Sequence, residues 1–183
     1  MGDNYRILGV DPGTNLLGYA VLEVEGIQLK IITMGVLKLT TFETHQDKLK
    51  EIYLQLQEIV ETYMPVCMAI EAPFYGKNVQ SMLKLGRAQG VAIAAAITMG
   101  LDIAEYSPKK IKQSVTGNGN ASKEQVSSML NTLLKIEIKE KYLDATDALA
   151  AAICHYHQKG KKRLSGSTHS WASFVKQNPG RIR

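Results

Sequence analysis

Two cysteines are all that this 183-residue chain contains, and neither belongs to a CxxC pair. Cys67 and Cys154 stand far apart in the sequence, so they read as reduced core residues of a cytosolic protein rather than as a disulfide or metal pair. No apolar run approaches the roughly 20 residues that a membrane span needs. The opening Met1–Tyr5 is short and polar, so no signal peptide is expected. The expected location is the cytoplasm, with no membrane partner. No internal repeat is evident. The glycines of Thr116–Asn120 lack a following GK[ST], which excludes a phosphate loop of that type. No Ser-His-Asp arrangement is defensible. His45 and His169 have no companions. His155 and His157 are more than two turns from Asp147 on a predicted helix, and they read as helix-end residues meeting its negative dipole.

What the chain does have is a core and an uneven charge. Hydrophobic residues make up 45% of it, enough for one domain without staples. The net charge of +5 is concentrated at the end: from Lys159 to Arg183 there are seven basic residues and no acid. The remaining 158 residues hold fifteen basic and seventeen acidic side chains. We therefore expect a domain over residues 1–158 and a basic, mobile tail over 159–183, in which Trp171, Phe174 and Val175 are the only docking handles. Inside the body, Lys77 to Lys123 is a second basic stretch with seven cations, opposed only by Asp102 and Glu105. Two positive regions around a few placed acids point to a polyanion on which chemistry is done. A solubilising surface is the plainer account of the same charges.

The pattern predicts strands over Tyr5–Val10, Gly18–Val24 and Leu29–Lys38, joined by short turns. Leu49, Ile52, Tyr53, Leu56, Ile59, Val60 and Tyr63 recur at helical spacing. Thr44 caps that helix, with Asp47 in its first turn, and Pro65 ends it. Val66–Ile70 is wholly apolar, as a strand covered on both faces would be. A helix over Val79–Met99 follows. Gly86, Gly90, Ala94 and Ala95 form a small-residue stripe on it, suited either to the domain's own sheet or to a dimer contact. Asp102–Tyr106 reads as a strand, Pro108–Val115 as a short basic helix and Ser122–Leu134 as a helix with a capping box to Gln125. Lys135–Tyr142 reads as a loop, and Leu143 to about His157 as the last helix. This order fits a mixed α/β sheet with helices on its faces, in which ligands gather at strand ends.

Asp11 and Glu71 both terminate apolar strands. Alone, Asp11 is accounted for by an Asx-type turn before Pro12-Gly13. Asp144 and Asp147 open the last helix at i, i+3 and so share a face. Alone, they are accounted for by the helix dipole. Together, four acids from three separate elements can meet at one sheet edge. Carboxylates so gathered repel, and hard divalent cations offset that cost. A pair of such ions about 3.5–4 Å apart activates water and steadies the leaving oxygen of a phosphodiester.

The residues Ile7–Gly13, Ala69–Glu71, Phe74, Lys77-Asn78, Ser81, Leu83–Gly86, Gly90–Ala92, Lys112, Lys123, Gln125-Val126 and Asp144–Ala150 resemble the RuvC family of Holliday-junction resolvases. The likeness spans about residues 5 to 157. Its Glu71-x-x-Phe74-x-x-Lys77-Asn78, Leu83-Lys84-Leu85-Gly86 and Asp144-x-x-Asp147-Ala148-Leu149-Ala150 keep the family's order and spacing. The resemblance implies an RNase H-like fold with a five-stranded sheet, three strands antiparallel and then two parallel. It further implies a homodimer, two Mg²⁺ per subunit with Mn²⁺ as substitute, paired symmetric nicks in four-way junction DNA during recombination and repair, and RuvA-RuvB as branch-migration partners.

Carried over by position, Asp11, Glu71, Asp144 and Asp147 match the catalytic, metal-holding acids. The last of these is histidine in some relatives. Phe74 matches an aromatic that stacks on an unpaired base. Pro73 and Gly76 place it on a loop, with Tyr75 beside it, as unstacked DNA requires. Lys112 and Lys123 match basic residues near the active site, where a lysine holds the scissile phosphate or steadies developing charge. Lys77, Lys84, Arg87 and Lys109 of the internal basic stretch are further candidates for DNA contact. Nothing carries over to the tail, whose charge suits salt-sensitive phosphate contacts. Three other readings stay open: a transposase- or ribonuclease H-type nuclease, a junction-binding protein that does not cut, and an ATPase of the actin and hexokinase kind, whose phosphate loop Asp11-Pro12-Gly13-Thr14 resembles. Length counts against the last, since those proteins need two such domains.

Overall fold

Strand alternation on β1 decides how the molecule is built. The computed structural model describes residues 4–73, 78–136 and 143–164. β1 (Tyr5–Asp11) pairs antiparallel with β2 (Leu16–Glu25), which pairs antiparallel with β3 (Gln28–Lys38). On its other side β1 runs parallel to β4 (Cys67–Glu71), and β4 parallel to β5 (Asp102–Tyr106). The sheet order is β3-β2-β1-β4-β5. β1 is thus central, and its residues point alternately to two covered faces. Leu8 and Val10 enter a core with Met68 and Ile70 and with Ile52, Leu56, Ala88 and Ala92. Ile7 enters the other core with Cys67 and Ala69 and with Ile111, Leu130 and Ala148–Cys154. Both cysteines are buried and neither is in a disulfide, as their spacing suggests.

The first face is covered by α1 (His45–Tyr63) and α2 (Val79–Thr98), the second by α3 (Pro108–Thr116), α4 (Lys123–Leu134) and α5 (Leu143–Leu164). Local chemistry starts these helices where the pattern indicates. Thr44 accepts from the Asp47 amide, and Ser107 from that of Lys110. Ser122 and Gln125 form a reciprocal capping box. α1 stops at Met64, which takes a left-handed φ of 48° and donates its N–H to the Val60 carbonyl.

α5 lies unusually close to the sheet. Ala145, Ala148 and Ala150–Ala152 are all buried, so beside Leu149 and Ile153 the helix presents a run of bare methyl groups. β1 answers with Gly9. A Cβ there would fall inside the Ala148 carbonyl oxygen, 2.9 Å from its carbon and 3.1 Å from the Ala152 Cβ. This approach brings the first turn of α5 to the strand ends.

Two expectations change, and the facing of a stripe that the sequence left open is decided. α5 does not end near His157 but continues through the expected tail boundary to Leu164. The Lys159 ammonium lies over the Tyr5 ring at 4.3 Å, a contact that helps hold the extension on β1. His155 and His157 are therefore not helix-end residues. His155 Nδ1 shares a hydrogen bond with Tyr106 Oη at 2.9 Å, and His157 Nδ1 faces Ser114 Oγ at 3.2 Å. Most of the small stripe on α2 turns away from the sheet. Ala88, Ala92, Ala95 and Ala96 pack inward, while Gly86, Gly90 and Ala94 are exposed in line with Val79, Leu83 and Ile97. The expected loop is described only at Lys135, which caps α4 in a left-handed conformation, and Ile136; residues 137–142 lie outside the described residues, as do 165–183 with Trp171, Phe174 and Val175.

Candidate active site

Strand register alone brings two carboxylates together. Val10 pairs with Ile70 across the parallel β1–β4 ladder, and Asp11 and Glu71 each follow by one residue. Adjacent strands lie about 4.8 Å apart. Both acids are in phase with Ile7, Cys67 and Ala69, so they belong to the face that α5 covers. The ladder is held beyond them: Glu71 pairs with Tyr106, and the Ala72 amide donates to the Tyr106 carbonyl at 2.8 Å. Asp147 arrives from α5, one residue before Ala148, which meets Gly9.

These acids border a cavity of about 790 Å³ at the carboxyl ends of β1, β4 and β5. Its lining carries the charges of Asp11, Glu71 and Asp147 together with Lys109, Lys112 and Lys123. Pro12, Pro73, Leu85 and Pro108 supply apolar lining. A space of this size takes a nucleotide rather than a bare phosphate. Lys123, the first residue of α4, places Nζ 2.6 Å from Asp147 Oδ2. Burial pushes the Glu71 carboxyl up to about 7, with Asp11 and Asp147 adding to the rise and Lys123 and Lys112 opposing it. A buried carboxyl with two acids beside it is a place where an added cation favours the charged form.

Among the described residues, no three His, Cys, Asp or Glu side chains form a ready metal cluster. Asp144 belongs to α5, but its side chain lies outside the described residues, as do Phe74, Tyr75 and Lys77. Glu71, its carboxyl raised first by burial and then by Asp11 and Asp147, nonetheless fits a hard divalent cation.

Of the predicted site residues, Asp11, Glu71, Asp147, Lys109, Lys112 and Lys123 come together at this cavity. Lys84 and Arg87 do not line it. They occupy another side of α2, near enough to the first turn of α1 that, after burial, their charges and that of Lys48 depress His45. Leu85 points to the cavity in their place. Its helical phase relative to Ala88 is the only advance signal. Pro12, Pro73, Pro108 and Gly119 also line the cavity, and only their loop positions hint at it.

A mixed five-stranded sheet with acids at the ends of neighbouring strands, and another on a covering helix, defines the RNase H-like class of nucleic-acid enzymes. Residues 7–155 match the family model described as crossover junction endodeoxyribonuclease RuvC. The chain belongs to that family, and it is a crossover junction endodeoxyribonuclease, a Holliday-junction resolvase. It is 55% identical to the crossover junction endodeoxyribonuclease RuvC of Cytophaga hutchinsonii, over 97% of this chain and 88% of that one. The corresponding protein of Bacteroides fragilis is 50% identical, over 97% of this chain and 95% of the relative. The solved structure of Thermus thermophilus RuvC in complex with Holliday junction substrate is 28% identical, covering 85% of this chain and 96% of that one, with a TM-score of 0.78.

Proposed function

We propose that Asp11, Glu71, Asp144 and Asp147 hold two Mg²⁺ ions, with Mn²⁺ as substitute, and that the protein nicks four-way DNA junctions symmetrically as a homodimer. The observation that carries this reading is the raised Glu71 beside Asp11 and Asp147 at the strand ends. Bound there, the ions supply activation of water for in-line attack and neutralisation of the leaving 3′ oxygen. The chain's own residues do the rest. β1 and β4 hold Asp11 and Glu71 rigid, and the Lys123 ammonium orients Asp147. Lys109 and Lys112, which line the cavity, hold phosphate oxygens. The products are a 5′ phosphate and a 3′ hydroxyl.

Phe74, with Tyr75 and Lys77, stacks on and holds an unpaired base beside the site, by resemblance to the family. Lys84 and Arg87 meet phosphates outside the cavity. The homodimer rests on the exposed line of Val79, Leu83, Gly86, Gly90, Ala94 and Ile97 along α2. Its glycines let a second helix approach closely, and a two-fold pair of sites suits a two-fold substrate. By the same resemblance RuvA-RuvB are partners, and the basic 159–183 segment adds salt-sensitive phosphate contacts. No described helix is long and apolar enough to cross a membrane. A cytoplasmic location is part of the same proposal.

The test is an end-labelled synthetic four-way junction with Mg²⁺, beside linear duplex, an RNA/DNA hybrid and the Asp11→Asn protein. Paired nicks on the junction alone are expected, with Asp11→Asn binding but not cutting. Equal cutting of linear duplex removes the resolvase reading, and full activity of Asp11→Asn removes the metal site.

A further inference from the structure

The loop between α3 and α4 contains two glycines with different reasons to be glycine. Gly117 caps α3 with a left-handed φ of 78°, which explains it by backbone conformation. Gly119 takes no such φ, so a side chain there would meet no backbone strain. What excludes one is Lys109. A Cβ on Gly119 would lie 2.7 Å from Lys109 Cγ, 3.1 Å from its carbonyl oxygen and 3.3 Å from Cε. The aliphatic stem of Lys109 is laid along the bare Cα of Gly119, and both residues line the active cavity.

The loop has little freedom to recede. The Asn118 amide donates to Thr116 Oγ1 at 3.1 Å, and the Asn120 amide to Asn118 Oδ1 at 3.0 Å. The Ala121 amide donates to the Asn118 carbonyl at 3.2 Å, and Ala121 itself is buried. At the other side, Lys109 is fixed at its Cα by the first turn of α3, behind Pro108 and the Ser107 cap. With both backbones held, the lysine stem is what must yield to any added atom. Cγ is only two bonds from that fixed Cα, so the whole side chain changes rotamer rather than its tip alone.

We propose that Gly119 is a positioning residue: its missing side chain is the seat that aims the Lys109 ammonium into the cavity, toward a DNA phosphate. This rests on the phosphate-holding role given to Lys109 above. Gly119 touches no substrate and acts through the lysine. Lys109 makes no ion pair among the described residues, and among them its stem takes its direction from packing against Gly119.

Single-turnover and steady-state cleavage of the four-way junction by the full chain, with Gly119→Ala, Lys109→Ala and the double variant, tests this. Losing one charge-assisted contact raises KM roughly tenfold and lowers the salt-dependence slope of junction binding by about one. Both single variants should show this, with kcat far less affected. The double variant should match Lys109→Ala and not multiply with Gly119→Ala. The melting temperature of each should fall only slightly, because the side chain takes up the main clash and the Lys109 carbonyl, 3.1 Å away, need give only a few tenths of an ångström. If Lys109→Ala weakens binding and Gly119→Ala does not, or if the two effects multiply, the seat is refuted while the phosphate role stands. If Lys109→Ala changes nothing, the phosphate role falls, and the seat falls with it. A large melting loss in Gly119→Ala that persists in the double variant also refutes the seat, since the obstacle is then backbone. Gly119→Ser gives a second reading of each outcome.

Discussion

Gly9→Ala is the smallest change that should move the active site without touching it. The new Cβ would stand 2.9 Å from the Ala148 carbonyl carbon and 3.1 Å from the Ala152 Cβ. Comfortable carbon contacts begin near 3.5 Å and the Ala148 carbonyl oxygen stands closer than either carbon, so α5 must back away by roughly an ångström. β1 offers no relief, because β2 and β4 hold it on both sides. Overpacking of this kind costs about 1–3 kcal/mol. Replacing glycine returns up to about 1 kcal/mol through the unfolded chain. Because the obstacle is a backbone carbonyl, the upper part of that range applies, and the net is about 1–2 kcal/mol, or a fall in melting temperature of about 2–8 °C for a chain of this length. Cleavage should suffer more than stability. Asp147 is the residue before Ala148, and an ångström of misplacement costs on the order of 100-fold in rate. Thermal unfolding and single-turnover junction cleavage at 25 °C are the assays. Gly9→Ala/Ala152→Gly should remain impaired, because the Ala148 backbone is the main obstacle. A Gly9→Ala protein that melts with the parent and cuts at its rate would refute the close approach of α5, and with it the account of how Asp147 reaches the strand ends.

Glu71 predicts a pH dependence of opposite sign to that of an ordinary salt-bridged acid. Its folded value of about 7 lies above the usual 4.5. Between those values the folded state binds the extra proton, so stability of the metal-free protein falls as pH rises. The full shift corresponds to at most about 3 kcal/mol, reduced to about 1 kcal/mol by solvent screening. Unfolding from pH 5 to pH 8 with EDTA should show the decline, Glu71→Gln should flatten it, and Mg²⁺ should stabilise more at pH 8 than at pH 6. A rise over that range would contradict the assignment. Arg6→Ala should behave in the reverse way to Gly9→Ala. Arg6 donates to Glu23 Oε1 and to the Tyr63 carbonyl, both at 2.9 Å, at the end of β1 away from Asp11. We expect a loss of about 1–2 kcal/mol in urea unfolding with unchanged cleavage below the transition. Lys123→Ala should cost under about 0.5 kcal/mol, since that side chain is largely exposed. Its cleavage should nonetheless fall on the order of 100-fold, and a loss of stability without loss of cleavage would reverse its role.

Several features were legible because their causes are local. The bonds of Thr44 to Asp47 and of Ser122 to Gln125 span three residues, so each is written out in the sequence that forms it. Asp11 and Glu71 announce themselves as carboxylates ending apolar runs. The stripe of Gly86, Gly90, Ala94 and Ala95 on α2 is visible in the sequence as a period, but which side of the helix faces the sheet is not. His155 and His157 were misread for a related reason. Nothing local shows that α5 continues past Lys159, because what helps hold it there is Tyr5, at the far end of the chain.

The sequence by itself determined the elements, their caps, the strand-end acids and the family resemblance, since these depend on neighbours within a few residues or on motif order. Only the tertiary structure decided that Asp11 and Glu71 share a register and a face, that Lys109, Lys112 and Lys123 reach the cavity while Lys84 and Arg87 do not, and that Gly9 and Gly119 are glycines for want of space. Those facts depend on pairing β1 with a strand 60 residues away, and on which backbone passes within a few ångströms of which. Such distances arise from packing two faces of one sheet at once, and no single stretch of chain contains them.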